Sequence, residues 1–233
     1  MDYIEIYKKR LNRYGLDYQS RIQGQRERDF DSYLLKSIYR VDFWYENSYE
    51  PATLERYKQD ETQTLSYLLT RRETMIPNGT VLTVENTEGE KKEWMIWWLE
   101  NIEASGYNRY IVLKMTHELS WVGADGQRYK QWAYFSGPGT SKITDTVKSS
   151  TGDALYKQND NLHLFITPYC AALTRDTYTE VPFRETTTAY VVSEVDVNST
   201  PGVMYVSVDP SYLRDKTVEE DVSAEQYWLN GGK

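Results

Sequence analysis

Val41-Asp42-Phe43-Trp44-Tyr45 is the stretch where the sequence changes period. Val41, Phe43 and Tyr45 alternate with Asp42 and Trp44, which is the repeat of a strand with two unlike faces. Upstream the repeat is close to four. Tyr3, Tyr7, Leu11, Tyr14, Tyr18 and Ile22 recur at steps of 4, 4, 3, 4 and 4, so their side chains share one face of a helix. Gly15 weakens that helix by about 1 kcal/mol, and Gly24 is read as its stop. Phe30, Leu34 and Ile38 predict a second short helix over residues 30–39. The switch at Val41 therefore predicts a mainly antiparallel β fold, a barrel or sandwich, behind an N-terminal helical segment; overall the class is α+β.

Downstream, strands are expected at residues 54–57 and 64–70, and at Val81-Leu82-Thr83-Val84 after the turn Asn78-Gly79. Trp94-Met95-Ile96-Trp97-Trp98-Leu99 is apolar throughout. As a strand it places Trp94, Ile96 and Trp98 on one face and Met95, Trp97 and Leu99 on the other, the pattern of a strand buried on both sides. Residues 110–121 read as one long strand with Ile111, Leu113, Met115, His117, Leu119 and Trp121 together. Asp125-Gly126 turns the chain into a strand over 129–135. Gly137-Pro138-Gly139 suits neither helix nor central strand and predicts a domain boundary. Further strands follow at 162–167, 189–197 and 203–208. The expected units are a helical segment (1–40), a β domain (41–139), a second small β domain (140–213) and an acidic tail (214–233).

Composition narrows the function classes. The 233 residues carry 27 Lys and Arg against 35 Asp and Glu, a net charge of −8, the wrong sign for a general nucleic-acid binder. Tyr, Trp and Phe number 21, 7 and 5, so aromatic surface can fill a core or an interface with few Leu and Ile. The single cysteine, Cys170, excludes an internal disulfide and a cysteine-cluster metal site. The first residues are polar and mixed in charge, with no apolar targeting region, so folding in a cytoplasm is expected. No apolar run approaches the ~18 residues of a spanning helix, and no membrane partner is expected. Asn78-Gly79-Thr80 and Asn198-Ser199-Thr200 fit the glycosylation pattern but are read as turns.

Reacting groups are sparse. The two histidines, His117 and His163, lie on predicted strands and are read as structural. Zinc-protease, paired-cysteine, phosphate-loop and nucleophile-elbow motifs do not occur. Glu85, Glu100, Glu103 and Glu118 could supply a glycosidase pair, but 35 acids make such a pair inevitable. The chain is therefore expected to be no enzyme and to need no cofactor or metal.

One order of short motifs stands out. It runs Arg21-Ile22, Gly24, Phe30, Tyr33-Leu34, Gln59-Asp60-Glu61-Thr62, Ile76-Pro77-Asn78-Gly79 and the Trp-rich 94–99 strand. It continues through Ser105-Gly106-Tyr107-Asn108-Arg109-Tyr110, Leu119-Ser120-Trp121 and Gln131-Trp132-Ala133-Tyr134. This order resembles structural proteins of tailed bacteriophages, the head–tail connectors of the head-closure or stopper type found in the virion neck. The resemblance implies a homo-oligomeric β-barrel ring in the virion, assembled in the bacterial host cytoplasm. Its partners would be portal or adaptor and tail proteins, with genomic DNA passing nearby without specific binding. On that reading Tyr3, Tyr7, Leu11, Tyr14 and Tyr18 form a docking face, because exposed aromatics seek a partner surface. Glu85, Glu88, Glu90 and Glu93 then form a channel or inter-subunit loop, since like charge keeps DNA from sticking. A tail-completion or capsid-decoration protein, or a carbohydrate-binding β-sandwich module, remains the alternative.

Overall fold

The computed structural model describes residues 3–6, 18–45, 47–57, 64–100, 106–136, 163–183, 186–210 and 216–217. The protein is mostly antiparallel β, with one long helix near the N-terminus. Two units divide it: Met1–Pro77 with Leu82–Val112, and Asn78–Val81 with Leu113–Lys233.

In the first unit, helix α1 (Tyr18–Lys36) precedes six strands: β1 (Arg40–Tyr45), β2 (Ser48–Arg56), β3 (Leu65–Arg71), β4 (Val81–Glu85), β5 (Lys91–Glu100) and β6 (Tyr107–Lys114). They close a barrel in the order β1-β2-β3-β6-β5-β4, which leaves no free sheet edge. Alternation in β1 sends Val41 and Phe43 inward, where they meet Ala52, Leu68, Leu82, Val84, Trp94, Ile96, Tyr110 and Val112. In β5 the inward face passes from Ile96 to Leu99. That odd step leaves Trp98 exposed, not beside Trp94 and Ile96 as strict alternation predicts. Met95 and Trp97 are buried as well, so β5 is covered on both faces in its middle, from Trp94 to Trp97, while Lys91, Lys92 and Glu93 at its start are not buried.

Helix α1 runs through Gly24 instead of stopping there. Its seat explains why. Phe30 and Leu34 bury against Leu69 of β3 and Tyr107 of β6, and Phe30 stacks on Tyr107 with ring centroids 4.9 Å apart. Burying two such side chains contributes about 1.5–3 kcal/mol each, more than the cost of one helical glycine. Tyr33 donates its hydroxyl to Glu55 at 2.7 Å, and Arg71 pairs with Asp31 at 2.9 Å. Residues 3–6 are also helical.

The second unit contains β7 (His117–Val122), β8 (Arg128–Ser136), β9 (His163–Pro168), β10 (Tyr178–Phe183), β11 (Thr186–Asp196), β12 (Val203–Pro210) and the short β13 (Lys216–Thr217). Pairing runs β10-β7-β8-β9-β12-β11, and β11 pairs back onto β10, so six strands close a second barrel with β13 on its rim. Its core gathers Leu119, Trp121, Ala133, Phe165, Leu173, Val181, Tyr190, Val192, Met204, Val206 and Val208.

The expected single strand over 110–121 is two strands, β6 and β7, interrupted at Met115 and Thr116. Val112 fills the first core and Leu119 the second. The two units divide between Val112 and Leu113, and within the second β7 pairs with β10 and β8 with β9. Residues 137–139 and the tail after 217 lie outside the described residues.

Candidate functional site

Three side-chain clusters are candidate sites. In the second barrel both histidines of the protein pack around Phe135. His163 stacks on it, centroids 5.4 Å apart and planes 13° apart, and His117 meets it edge-on at 5.8 Å. Tyr190 closes the group against His163 at 5.4 Å. Burial lowers the proton affinity of both imidazoles, and at His163 the Asp209 carboxylate opposes that effect. His163 Nδ1 is buried without a hydrogen-bond partner, whereas His117 Nδ1 lies 2.8 Å from the Thr116 hydroxyl. Neutral rings held by aromatic packing serve the core; among the described residues no group of three or more His, Cys, Asp or Glu is placed to hold a metal.

The second cluster lies on the first barrel. The Arg109 guanidinium carbon sits 5.0 Å above the Tyr67 ring, and Tyr67 packs on Tyr57 at 5.0 Å. Arg109 Nε lies 2.6 Å from Glu100 Oε2, yet neither atom is aligned for a hydrogen bond, so the contact is ionic. Burial first, then the Glu100 and Tyr57 charges, raise the Tyr67 hydroxyl. The charges here satisfy one another.

The third is open to solvent. Trp44 of β1 stands directly opposite Tyr49 of β2 and, on its other side, opposite Thr83 of β4. The two rings meet at 69° with centroids 4.9 Å apart, yet remain 45% and 54% exposed. The Thr83 hydroxyl lies 3.0 Å from both carboxylate oxygens of Glu93 on β5 and donates to them. Four adjacent strands thus present Tyr49, Trp44, Thr83 and Glu93 as a row. Around it Lys91 pairs with Glu85 at 3.5 Å, and Arg40 with Asp42 at 3.9 Å. The Tyr49 hydroxyl and then Glu85 raise the Lys91 ammonium.

The structure brings all four expected acids onto the β4–β5 hairpin. Glu85 ends β4 and Glu93 lies in β5, while the backbone N–H groups of Glu88 and Glu90 both donate to Asn86 Oδ1 in the turn. Of the expected docking face, Tyr3 and Tyr18 are exposed, at 80% and 74%. Tyr7, Leu11 and Tyr14 lie outside the described residues. Sequence reasoning missed the Trp44–Tyr49 pair. Its only signal was an aromatic at a polar-phase position of β1, and the partner ring lies across a strand pairing. No helix among the described residues is long and apolar enough to cross a membrane.

No family model matches the chain, and no curated protein matches it. Solved structures do align with it. Apo MrkH of K. pneumonia is 12% identical, covering 81% of this chain and 84% of its own at a TM-score of 0.25. MrkH described as a c-di-GMP-dependent transcription regulatory factor is 13% identical over 89% of each chain at 0.24. The Bacillus subtilis inhibitor of motility MotI/DgrA is 9% identical, covering 82% of this chain and 91% of its own at 0.22.

These matches correct the expectation of a phage head–tail connector. They are bacterial regulators and not virion parts, so the ring, the portal, adaptor and tail partners, and the other virion roles are withdrawn. Periodicity and short motifs had specified β-barrels, and barrels of this kind serve many unrelated roles. At TM-scores of 0.22–0.25 the regulators in turn bring no ligand or role to this chain.

Proposed function

We propose that the chain is a non-enzymatic binding protein whose recognition surface is the outer face of the first barrel across β2, β1, β4 and β5. The observation that carries this reading is the Trp44–Tyr49 pair, two large rings held in register and left about half exposed. Rings of that size in water forgo about 1.5–3 kcal/mol each, and aromatic anchors of this kind dominate binding energy at interfaces. Closed barrel pairing holds the pair rigid, so little conformational entropy is lost on binding. Supporting the non-enzymatic half, both histidines and the Arg109–Glu100 pair are engaged in packing and ionic contacts of their own.

The test is a titration of the full chain with four peptide pools, cationic, anionic, proline-rich and neutral polar, read at the Trp44 indole resonance. At least one pool is expected to shift it, and Tyr49→Ala to abolish the shift while the barrel stays folded. A Trp44 resonance unmoved by every pool overturns the reading. Turnover of generic ester, phosphate or glycoside substrates above buffer would overturn the non-enzymatic half.

A further inference from the structure

The charge around this row selects among occupants. On the outer face of β1, β4 and β5, Asp42 and Glu85 are each neutralised by a neighbouring cation, Arg40 and Lys91. Among the described residues Glu93 has the Thr83 hydroxyl and no cation within ion-pair distance. The described residues of this face therefore carry one carboxylate in excess. Trp and Tyr faces attract cations through the ring quadrupole, and a planar guanidinium both stacks on a ring and forks onto a carboxylate. An ammonium does neither as well, being a compact, strongly hydrated charge.

Resting on the reading above, we infer that the occupant is an arginine-bearing peptide segment of a partner protein, its guanidinium against Trp44 and Tyr49 with Glu93 as counter-charge. Neighbouring strands are about 4.8 Å apart, so Glu93 lies about two spacings, roughly 10 Å, from Trp44 along the row. An extended segment advances about 3.3 Å per residue and returns to the same face every second residue, so a second cation two residues on lies about 6.6 Å along the row and its long side chain reaches Glu93 while the first occupies the ring corner. Among the described residues Lys91 lies beside Tyr49, and its pairing with Glu85 limits its repulsion.

The experiment titrates the full chain with three capped octapeptides, alternating Arg-Gly, Lys-Gly and Gln-Gly, read at the Trp44 indole. The arginine peptide is expected to bind roughly tenfold more tightly than the lysine peptide, with no shift from glutamine. Glu93→Gln, which keeps an acceptor for Thr83, should weaken arginine binding about three- to tenfold. Glu88→Gln on the same hairpin removes the same charge and should leave it within about twofold, since screened surface charge acts weakly. Equal binding of arginine and lysine, or equal effects of the two Glu→Gln changes, overturns the inference. If a pool without arginine shifts Trp44 and the arginine peptide does not, the recognition surface stands and its occupant is another. If nothing shifts Trp44, both fall.

Discussion

His163 lies flat on Phe135, with 13° between the ring planes, and its Nδ1 is buried with no partner. A protonated imidazole needs an acceptor or water at each nitrogen, and at Nδ1 this position supplies neither. The folded state therefore favours the neutral ring, as it does at His117.

That relationship sets a pH dependence. Both folded proton affinities lie below the unfolded value of about 6.5, so the unfolded chain binds more protons below that pH. Stability from these sites is fully present above about pH 6.5 and is lost as pH falls beneath it. The urea midpoint at about pH 5.5 should be lower than at about pH 7.5, and His163→Phe, which keeps the stack, should narrow the gap. A midpoint that is flat or rises on acidification rules this out.

The seat of α1 is tight at Gly106. A Cβ there would lie 2.4 Å from the carbonyl carbon of Arg26 and 2.7 Å from the nitrogen of Glu27. Backbone cannot give way as a side-chain tip can, so Gly106→Ala should lift the helix and cost about 1–3 kcal/mol. Chemical denaturation measures it, and wild-type stability in the variant would refute the close approach.

Phe30→Ala attacks the same seat from the helix side. Phe30 is 5% exposed and stacked on Tyr107, so a loss of about 3–5 kcal/mol is expected. Because both changes release one contact surface, the double variant should lose less than the sum of the two. Simple additivity would mean that Gly106 and Phe30 act on separate features.

Tyr110 is fully buried, donates its hydroxyl to the Thr74 carbonyl at 3.1 Å and accepts the Ile76 N–H at 3.0 Å. Tyr110→Phe strands the buried Ile76 N–H and takes one donor from the Thr74 carbonyl, for a loss of about 1–3 kcal/mol. Asn108 donates to the carbonyls of Arg71, Arg72 and Thr74, so hydrogen exchange should rise across residues 71–76 first. Protection unchanged at Ile76 would count against that clamp.

Trp44→Ala is expected to change stability by no more than about 1 kcal/mol, the size of one cross-strand pair. A larger loss in denaturation would place Trp44 among the groups that hold the barrel together, and the recognition reading would lose its anchor.

Local chemistry was enough to predict much of the fold. The switch at Val41, the two-sided apolar run at 94–99 and the Asp125-Gly126 turn each depend on neighbours in sequence, and each predicted its element type; of the period-four stripe, Tyr3, Tyr18 and Ile22 are helical, and Tyr7, Leu11 and Tyr14 lie outside the described residues. β10 escaped because Tyr178–Phe183 holds only Val181 as an aliphatic residue and includes Pro182, so it lacks the alternation that marks a strand.

Sequence by itself determined that the chain is β-rich behind a helix, acidic overall and equipped with only two histidines. Tertiary structure alone decided where that β-chain divides, because alternation runs unbroken through Met115 and Thr116 while the strands on either side fill different cores. It alone brought His117 and His163 onto one ring and set Tyr49 beside Trp44 and Glu93 beyond Thr83. Periodicity records which face of an element turns inward; strand pairing and barrel closure choose its neighbours, and those depend on contacts between residues far apart in the chain.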